Sequence, residues 1–199
     1  AASHPFHVVD EEDAVYCEES CAILESCMDC DSPDVSLFDR DAAVAAFHKI
    51  LHDSGKMTVL VAIARHCIAV GERMVIFSQY VGVQDTIQKF LAAAGVSNMS
   101  IRGRDSVEAR RSTVQRFADR GNGSEGAVVA LIVSTKAGAF GIDLTAANHV
   151  VLFDSWWNPQ VDAQAIARCY RRNQAKPVVV YRLATYWEDR SIIRAQMRK

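Results

Sequence analysis

Gln164, Arg168 and Arg171 follow one another at intervals of four and three, the spacing that places side chains on one face of an α-helix. Two guanidinium groups on one face make an anion clamp. In ATPases, arginines that reach a transferring γ-phosphate stabilise its developing charge and are worth ~10³ to 10⁵ in rate. The alternative use of the same spacing is a solvated or salt-bridged basic face that does no chemistry. A second chemical stretch runs from Ser134 to Gly141, where two hydroxyls, Lys136 and several glycine-exposed amides follow an apolar strand. Such a loop can grip a phosphodiester backbone without reading bases, and a plain turn is its structural alternative. Trp156 and Trp157 stand side by side before the arginine helix, one expected in the core and the other lining a cleft or touching nucleic acid. Arg102, Arg104, Arg110 and Arg111 either extend a backbone track or form a solvated helix start.

Other patterns carry less. Gly121, Gly123 and Gly126 spell Gly-x-Gly-x-x-Gly, but a helix precedes them and a strand follows, the reverse of the order that brings a helix amino terminus to a pyrophosphate. Cys17, Cys21, Cys27 and Cys30 form an imperfect four-thiolate pattern, and His48 and His52 sit four apart. Free thiols of a reduced segment and two solvent-side histidines satisfy both, and the sequence assigns no metal.

The elements that must position these groups alternate along the chain. After a helical run from Ala43 to Leu51, with Asp39 or Asp41 available as its cap, a second run starts at Ser54 and stops at Gly71. Short apolar strands are expected at 74–77, 99–101, 128–133, 150–153 and 178–183. Helices are expected at 83–94, 106–119, 159–170 and 188–197, with Asn158 and Pro159 supplying the cap and first position of the third. This order requires an α/β fold, a mostly parallel central sheet with helices on both faces and ligand sites beyond the carboxyl ends of the strands.

The formal charge of −2 hides an asymmetry. Residues 1–39 hold eleven acids and no Lys or Arg, which leaves all 22 bases against 13 acids in residues 40–199, a formal +9. The chain therefore divides into an acidic, cysteine-containing linker or tail, 1–39, whose composition favours disorder, and a basic folded body, 40–199. A basic body attracts polyanions, so nucleic acid is the leading partner class. Half of the residues are hydrophobic, enough for a real core in a single domain. No run approaches the ~18 apolar residues of a membrane span and no secretory signal opens the sequence, so a soluble intracellular chain is expected.

The string Asp154-Ser155-Trp156-Trp157-Asn158-Pro159, followed by Gln164-Ala165, Arg168, Arg171 and Asn173-Gln174, resembles the last helicase motif of Swi/Snf-type chromatin-remodelling ATPases, members of helicase superfamily two. Ser134 to Ala147 resembles the preceding motif, Val75 to Tyr80 the phenylalanine-serine-glutamine strand, Ser54-Gly55-Lys56 an upstream one, and Glu188, Ile192, Gln196 and Lys199 the helix that follows the last motif, so ordered matches span about 54–199. The sequence departs from the pattern at Asn173, where Gly is usual, at Asp143, where Asn is usual, and at 101–106, where Leu-Asp-Gly-Ser is usual.

The resemblance implies a RecA-like three-layer domain, the second of two lobes, and ATP with Mg2+ shared with a first lobe. It implies Arg168 and Arg171 as arginine fingers, Gly138, Gly141, Asp143 and Gln164 as nucleotide-facing residues, and Ser78, Gln79, Thr135, Lys136 and Trp156 as contacts to double-stranded DNA. It further implies a nuclear translocase acting on chromatin or recombination intermediates, with nucleosomes or chromatin proteins as partners. A non-catalytic binding module and an RNA-directed helicase lobe are the alternatives. The chain contains neither a Gly-x-x-x-x-Gly-Lys-Ser/Thr loop nor an Asp-Glu pair at a strand end, so alone it is expected to hydrolyse no ATP.

Overall fold

The computed structural model describes residues 54–119, 128–135, 141–154 and 156–185, with Ile192 and Arg194. The acidic segment with its four cysteines, the first expected helix with His48 and His52, the glycine triplet, Lys136 and Gly138 lie outside these residues, as does nearly all of the closing helix. The described chain alternates helix and strand in the order α1 (Gly55–Ala69), β1 (Met74–Ser78), α2 (Val81–Ala93), β2 (Asn98–Ile101), α3 (Val107–Ala118), β3 (Ala130–Ser134), β4 (His149–Leu152), α4 (Pro159–Ile166) and β5 (Val179–Arg182). The five strands form one sheet in the order β2-β3-β1-β4-β5, and every neighbouring pair is parallel. This is the expected α/β architecture, a RecA-like sheet with a helix layer on each face.

Pleating explains the layers. β1, β3 and β4 are buried at every position, as central strands of a parallel sheet covered on both faces must be. Alternate residues then serve opposite cores. Met74, Ile76, Ala130, Ile132 and Val151 pack under α1 and α2, with Leu60, Ala64, Ile87 and Leu91. Val75, Phe77, Leu131, Val133, Val150 and Leu152 face α3 and α4, meeting Phe117, Ala165 and Cys169.

Helix ends follow local chemistry. Gly71 and Gly95 take φ of +64° and +73° just beyond α1 and α2, a left-handed stop that costs glycine nothing. The Ser106 hydroxyl accepts the Ala109 N–H at 3.1 Å and caps α3. At the other end of α3, the buried Arg73 donates to the carbonyls of Ala118 and Asp119 at 2.9 and 2.7 Å, satisfying acceptors that a helix carboxyl terminus leaves open. No described helix is long and apolar enough to cross a membrane.

One element is shorter than its sequence suggests. α4 stops at Ile166, where periodicity predicted continuation to Tyr170. The ladder tightens there: the Arg168 and Cys169 amides reach back three residues, to Ala165 and Ile166. The next carbonyls are taken by partners outside the helix, Arg168 O by the Leu144 N–H at 3.0 Å and Cys169 O by the Gln174 side chain at 3.3 Å. Tertiary hydrogen bonds thus replace the last helical turn.

Candidate nucleotide and nucleic-acid site

The carboxyl ends of β1 and β4 are tied by one carboxylate. Asp154 accepts the Ser78 hydroxyl at 2.5 Å and the Gln79 N–H at 3.3 Å. The start of α1 is drawn to the same place, because the Lys56 ammonium donates to Phe153 O at 3.2 Å and lies 5.8 Å from that residue's ring centre. Buried Gln84 donates to Ser78 O at 2.8 Å. Ser78 is itself wholly buried, so its hydroxyl acts here as a strut between two strand ends; contact with a phosphodiester would require that bond to open. Gln79 and Thr135 are half-buried at the ends of β1 and β3. Those two strands are adjacent, so these two candidates for backbone contact share one rim.

Asn158 Oδ1 accepts the Gln160 N–H at 3.2 Å and Pro159 occupies the first turn, which launches α4 from the end of β4. Neither tryptophan beside that cap joins the buried core: Trp156 is half-buried and Trp157 is 59% exposed. Gln164 is exposed on α4. Asp162, which sequence reasoning passed over, is 2% exposed and faces the Arg182 guanidinium at 3.5 Å, fastening α4 to β5. An acid in the first turn of a helix is the signal that would have pointed to it.

Because α4 ends early, Arg168 and Arg171 occupy the turns after it rather than one helical flank, and their surroundings differ. Arg168 Nε is buried and has no hydrogen-bond partner among the described residues. A buried donor without a partner costs about 1–3 kcal/mol, which an arriving anion would offset. Arg171 is committed. Its Nη2 donates to Gly141 O and Ile142 O, both at 3.2 Å, its Nε donates to Ala167 O at 3.4 Å, and its Nη1 lies 3.9 Å from an Asp143 carboxylate oxygen. Asp143 also accepts the Thr145 N–H at 3.0 Å.

Gln174 completes this corner: its Nε2 donates to Thr145 O, Ala147 O and Cys169 O at 3.1, 2.8 and 3.3 Å, and its Oε1 accepts the Lys176 N–H at 3.1 Å. The sequence marked Gln174 only as part of a motif; a carbonyl clasp across about thirty residues leaves no local pattern. Beneath it, burial, reinforced by the Asp143 charge and opposed by Arg171, pushes the Cys169 thiol up to about 12.

Gly141, Asp143 and Arg171 are therefore brought together, with the Arg168 backbone tied to the same loop through the Leu144 amide, while Gln164 is exposed on α4 and Ser78, Gln79, Thr135 and Trp156 lie at or just beyond the carboxyl ends of β1, β3 and β4. Among the described residues no group of three or more His, Cys, Asp or Glu side chains is arranged to hold a metal.

The sequence profile named helicase conserved C-terminal domain matches residues 55–173. Over 146 residues, 73% of this chain, the sequence is 54% identical to the bifunctional helicase and thymine dioxygenase JBP2 of Leishmania infantum. The match covers 13% of that relative, so this chain spans only a small part of its length. Over 156 residues, 78% of this chain and 9% of the relative, it is 35% identical to the chromatin-remodeling ATPase INO80 of Emericella nidulans. The crystal structure of the C-terminal part of the Fun30 ATPase domain superposes with a TM-score of 0.67 at 30% identity, covering 72% of this chain and 45% of that one.

Proposed function

The chain belongs to the helicase conserved C-terminal domain family as a Swi/Snf-type lobe, and from that premise we propose that it is the second ATPase lobe of a double-stranded-DNA-dependent translocase. The observation that carries the reading is a buried Arg168 Nε with no hydrogen-bond partner among the described residues, on a backbone that the loop 141–145 holds through the Leu144 amide. An incoming γ-phosphate supplies the partner that Arg168 Nε lacks among the described residues. When water attacks the γ-phosphorus and the bond to the bridging oxygen breaks, releasing ADP and phosphate, guanidinium charge offsets the charge on the transferring group.

ATP enters with Mg2+ between this lobe and a first lobe that grips the phosphates. Gln164, Gly138, Gly141 and Asp143 face the nucleotide from this side. Gln79, Thr135, Lys136 and Trp156 meet the DNA backbone along the neighbouring loops, and Ser78 sets their height. Closing and opening of the two lobes then advances the backbone contacts along DNA in a nuclear setting.

The 54% identity to a bifunctional helicase and thymine dioxygenase, against 35% to a chromatin remodeller, favours a parent protein in which this motor delivers DNA to a second, oxidative domain. Chromatin or recombination remodelling by the motor alone is the broader reading. Arg168→Ala or Arg171→Ala in the full-length protein tests the proposal: ATPase activity should fall while DNA affinity stays within about twofold. Unchanged hydrolysis in both variants would leave a non-catalytic module as the better description.

A further inference from the structure

Arg168 and Arg171 are equivalent in sequence spacing and unequal in structure. The Arg171 guanidinium spends its donors within the lobe, on the carbonyls of Gly141, Ile142 and Ala167 and toward the Asp143 carboxylate. Gln174 seizes the other end of the same loop through Thr145 O and Ala147 O, and holds Cys169 O with the same nitrogen. Between these two grips lies Leu144, fully buried, whose amide donates to Arg168 O. The backbone of Arg168 is thereby set by the loop that Arg171 and Gln174 hold. Its own side chain makes no hydrogen bond or ion pair among the described residues.

Resting on the ATPase reading, we infer that Arg171 and Gln174 are positioning residues, a two-point clasp on loop 141–147, and that Arg168 alone delivers a guanidinium to the γ-phosphate. Asp143 belongs to the clasp. Its carboxylate turns toward Arg171 and anchors the Thr145 amide, so the acid that replaces the family's usual Asn gives Arg171 an ionic reason to stay with the loop.

The two roles respond differently to conservative change. A planar fork that embraces a phosphate is not replaced by an ammonium, whereas a donor to backbone carbonyls is. In the full-length protein with duplex DNA and ATP, Arg168→Ala and Arg168→Lys should each lower kcat about 10³-fold with the ATP KM little changed, the signature of an interaction made in the transition state. Arg171→Ala and Gln174→Met should raise KM about tenfold with a smaller loss of kcat, and Arg171→Lys should recover most of both. The double variant Arg171→Ala/Gln174→Met should be less impaired than the product of the single effects, because both residues hold one loop.

An Arg171→Lys enzyme as depleted in kcat as Arg168→Lys would overturn the inference, since it would make both arginines phosphate ligands. Wild-type kinetics in Gln174→Met would overturn it as well. If Gln174→Met does not fold, the Arg171 series decides alone. A fully active Arg168→Ala enzyme would instead remove the ATPase reading on which the inference rests.

Discussion

At the amino ends of β1, β4 and β5 a polar cluster closes on itself, while in the turns after α4 a buried donor is left open. Glu72 precedes β1 and accepts from Asn148, Lys176 and the buried His149, at 2.7, 2.8 and 2.6 Å; the other His149 nitrogen lies 3.2 Å from the Tyr181 hydroxyl. Hydrogen bonds from Lys176 and Asn148 lead the causes that bring the Glu72 carboxyl down to about 2. Burial is the main cause that raises the Tyr181 phenol, and burial with the nearby Glu72 charge pushes the Cys67 thiol up to about 12. Every polar side chain in that knot has a partner within the lobe. From α4 onward, Arg168 Nε lacks one among the described residues, Gln164 is exposed, and Arg171 and Gln174 are spent on shaping a loop. Charge completed internally holds a fold, and a buried donor left without a partner is where an arriving anion would gain most.

The widest separation between the two regions should appear in activity. Arg168→Ala in the full-length protein should cost about 10³ in DNA-stimulated turnover while moving the melting temperature of the lobe by less than about 2 °C. A large loss of stability would place Arg168 in the scaffold and erase the distinction.

The complementary change is Glu72→Ala, which strands the buried His149 and should destabilise the 199-residue chain by about 2 kcal/mol, or roughly 5 °C. Its pH dependence follows from the lowered carboxyl. Stability from ionised Glu72 is fully present above about 4.5, the ordinary value, and is lost as pH falls toward about 2. Urea midpoints of the wild type should therefore drop more steeply between pH 5 and pH 3 than those of Glu72→Gln. Parallel curves would show that the knot contributes no linkage.

Much of this fold was legible because its signals are local. Each described strand lies within two residues of its expected limits, and Gly71, Gly95, Ser106 and Asn158 mark helix boundaries by conformations and caps that act over a few residues. The end of α4 was not legible, since it is decided by the Leu144 amide and the Gln174 side chain, donors distant in sequence from the carbonyls they satisfy or fixed only by the fold. The inequality of the arginines was hidden for the same reason. Spacing of four and three describes a helix, and the helix stops before either arginine is reached. The Glu72–His149 knot left no motif at all, because its members meet only when β1, β4 and β5 align.

A smaller effect probes the two thiols, one in each core. Cys67 and Cys169 are buried with thiols near 12, so both should resist alkylation in the native chain at pH 8. Gln174→Met should speed modification of Cys169, whose carbonyl Gln174 holds, several-fold and leave Cys67 protected. Equal acceleration of both would mean that the clasp supports the whole lobe rather than one corner.

The smallest expected effect concerns the β2 edge. There Arg102 is occupied by Asp85 and Gln88, and Arg110 by Gly103 O, while Arg104 and Arg111 are exposed. If these two extend the DNA track, Arg104→Ala/Arg111→Ala should reduce the salt dependence of duplex binding by about one to two in slope, without altering ATP turnover at saturating DNA. An unchanged slope would confine the track to the β1 and β3 loops.

ATP hydrolysis measured on the 199-residue chain and on the full-length protein, each with and without duplex DNA, tests the account most directly. Half of a composite site should give no measurable turnover by the chain alone, and the full-length protein should turn over ATP faster when duplex is added. Robust hydrolysis by the isolated chain, or a full-length protein indifferent to DNA, would contradict it.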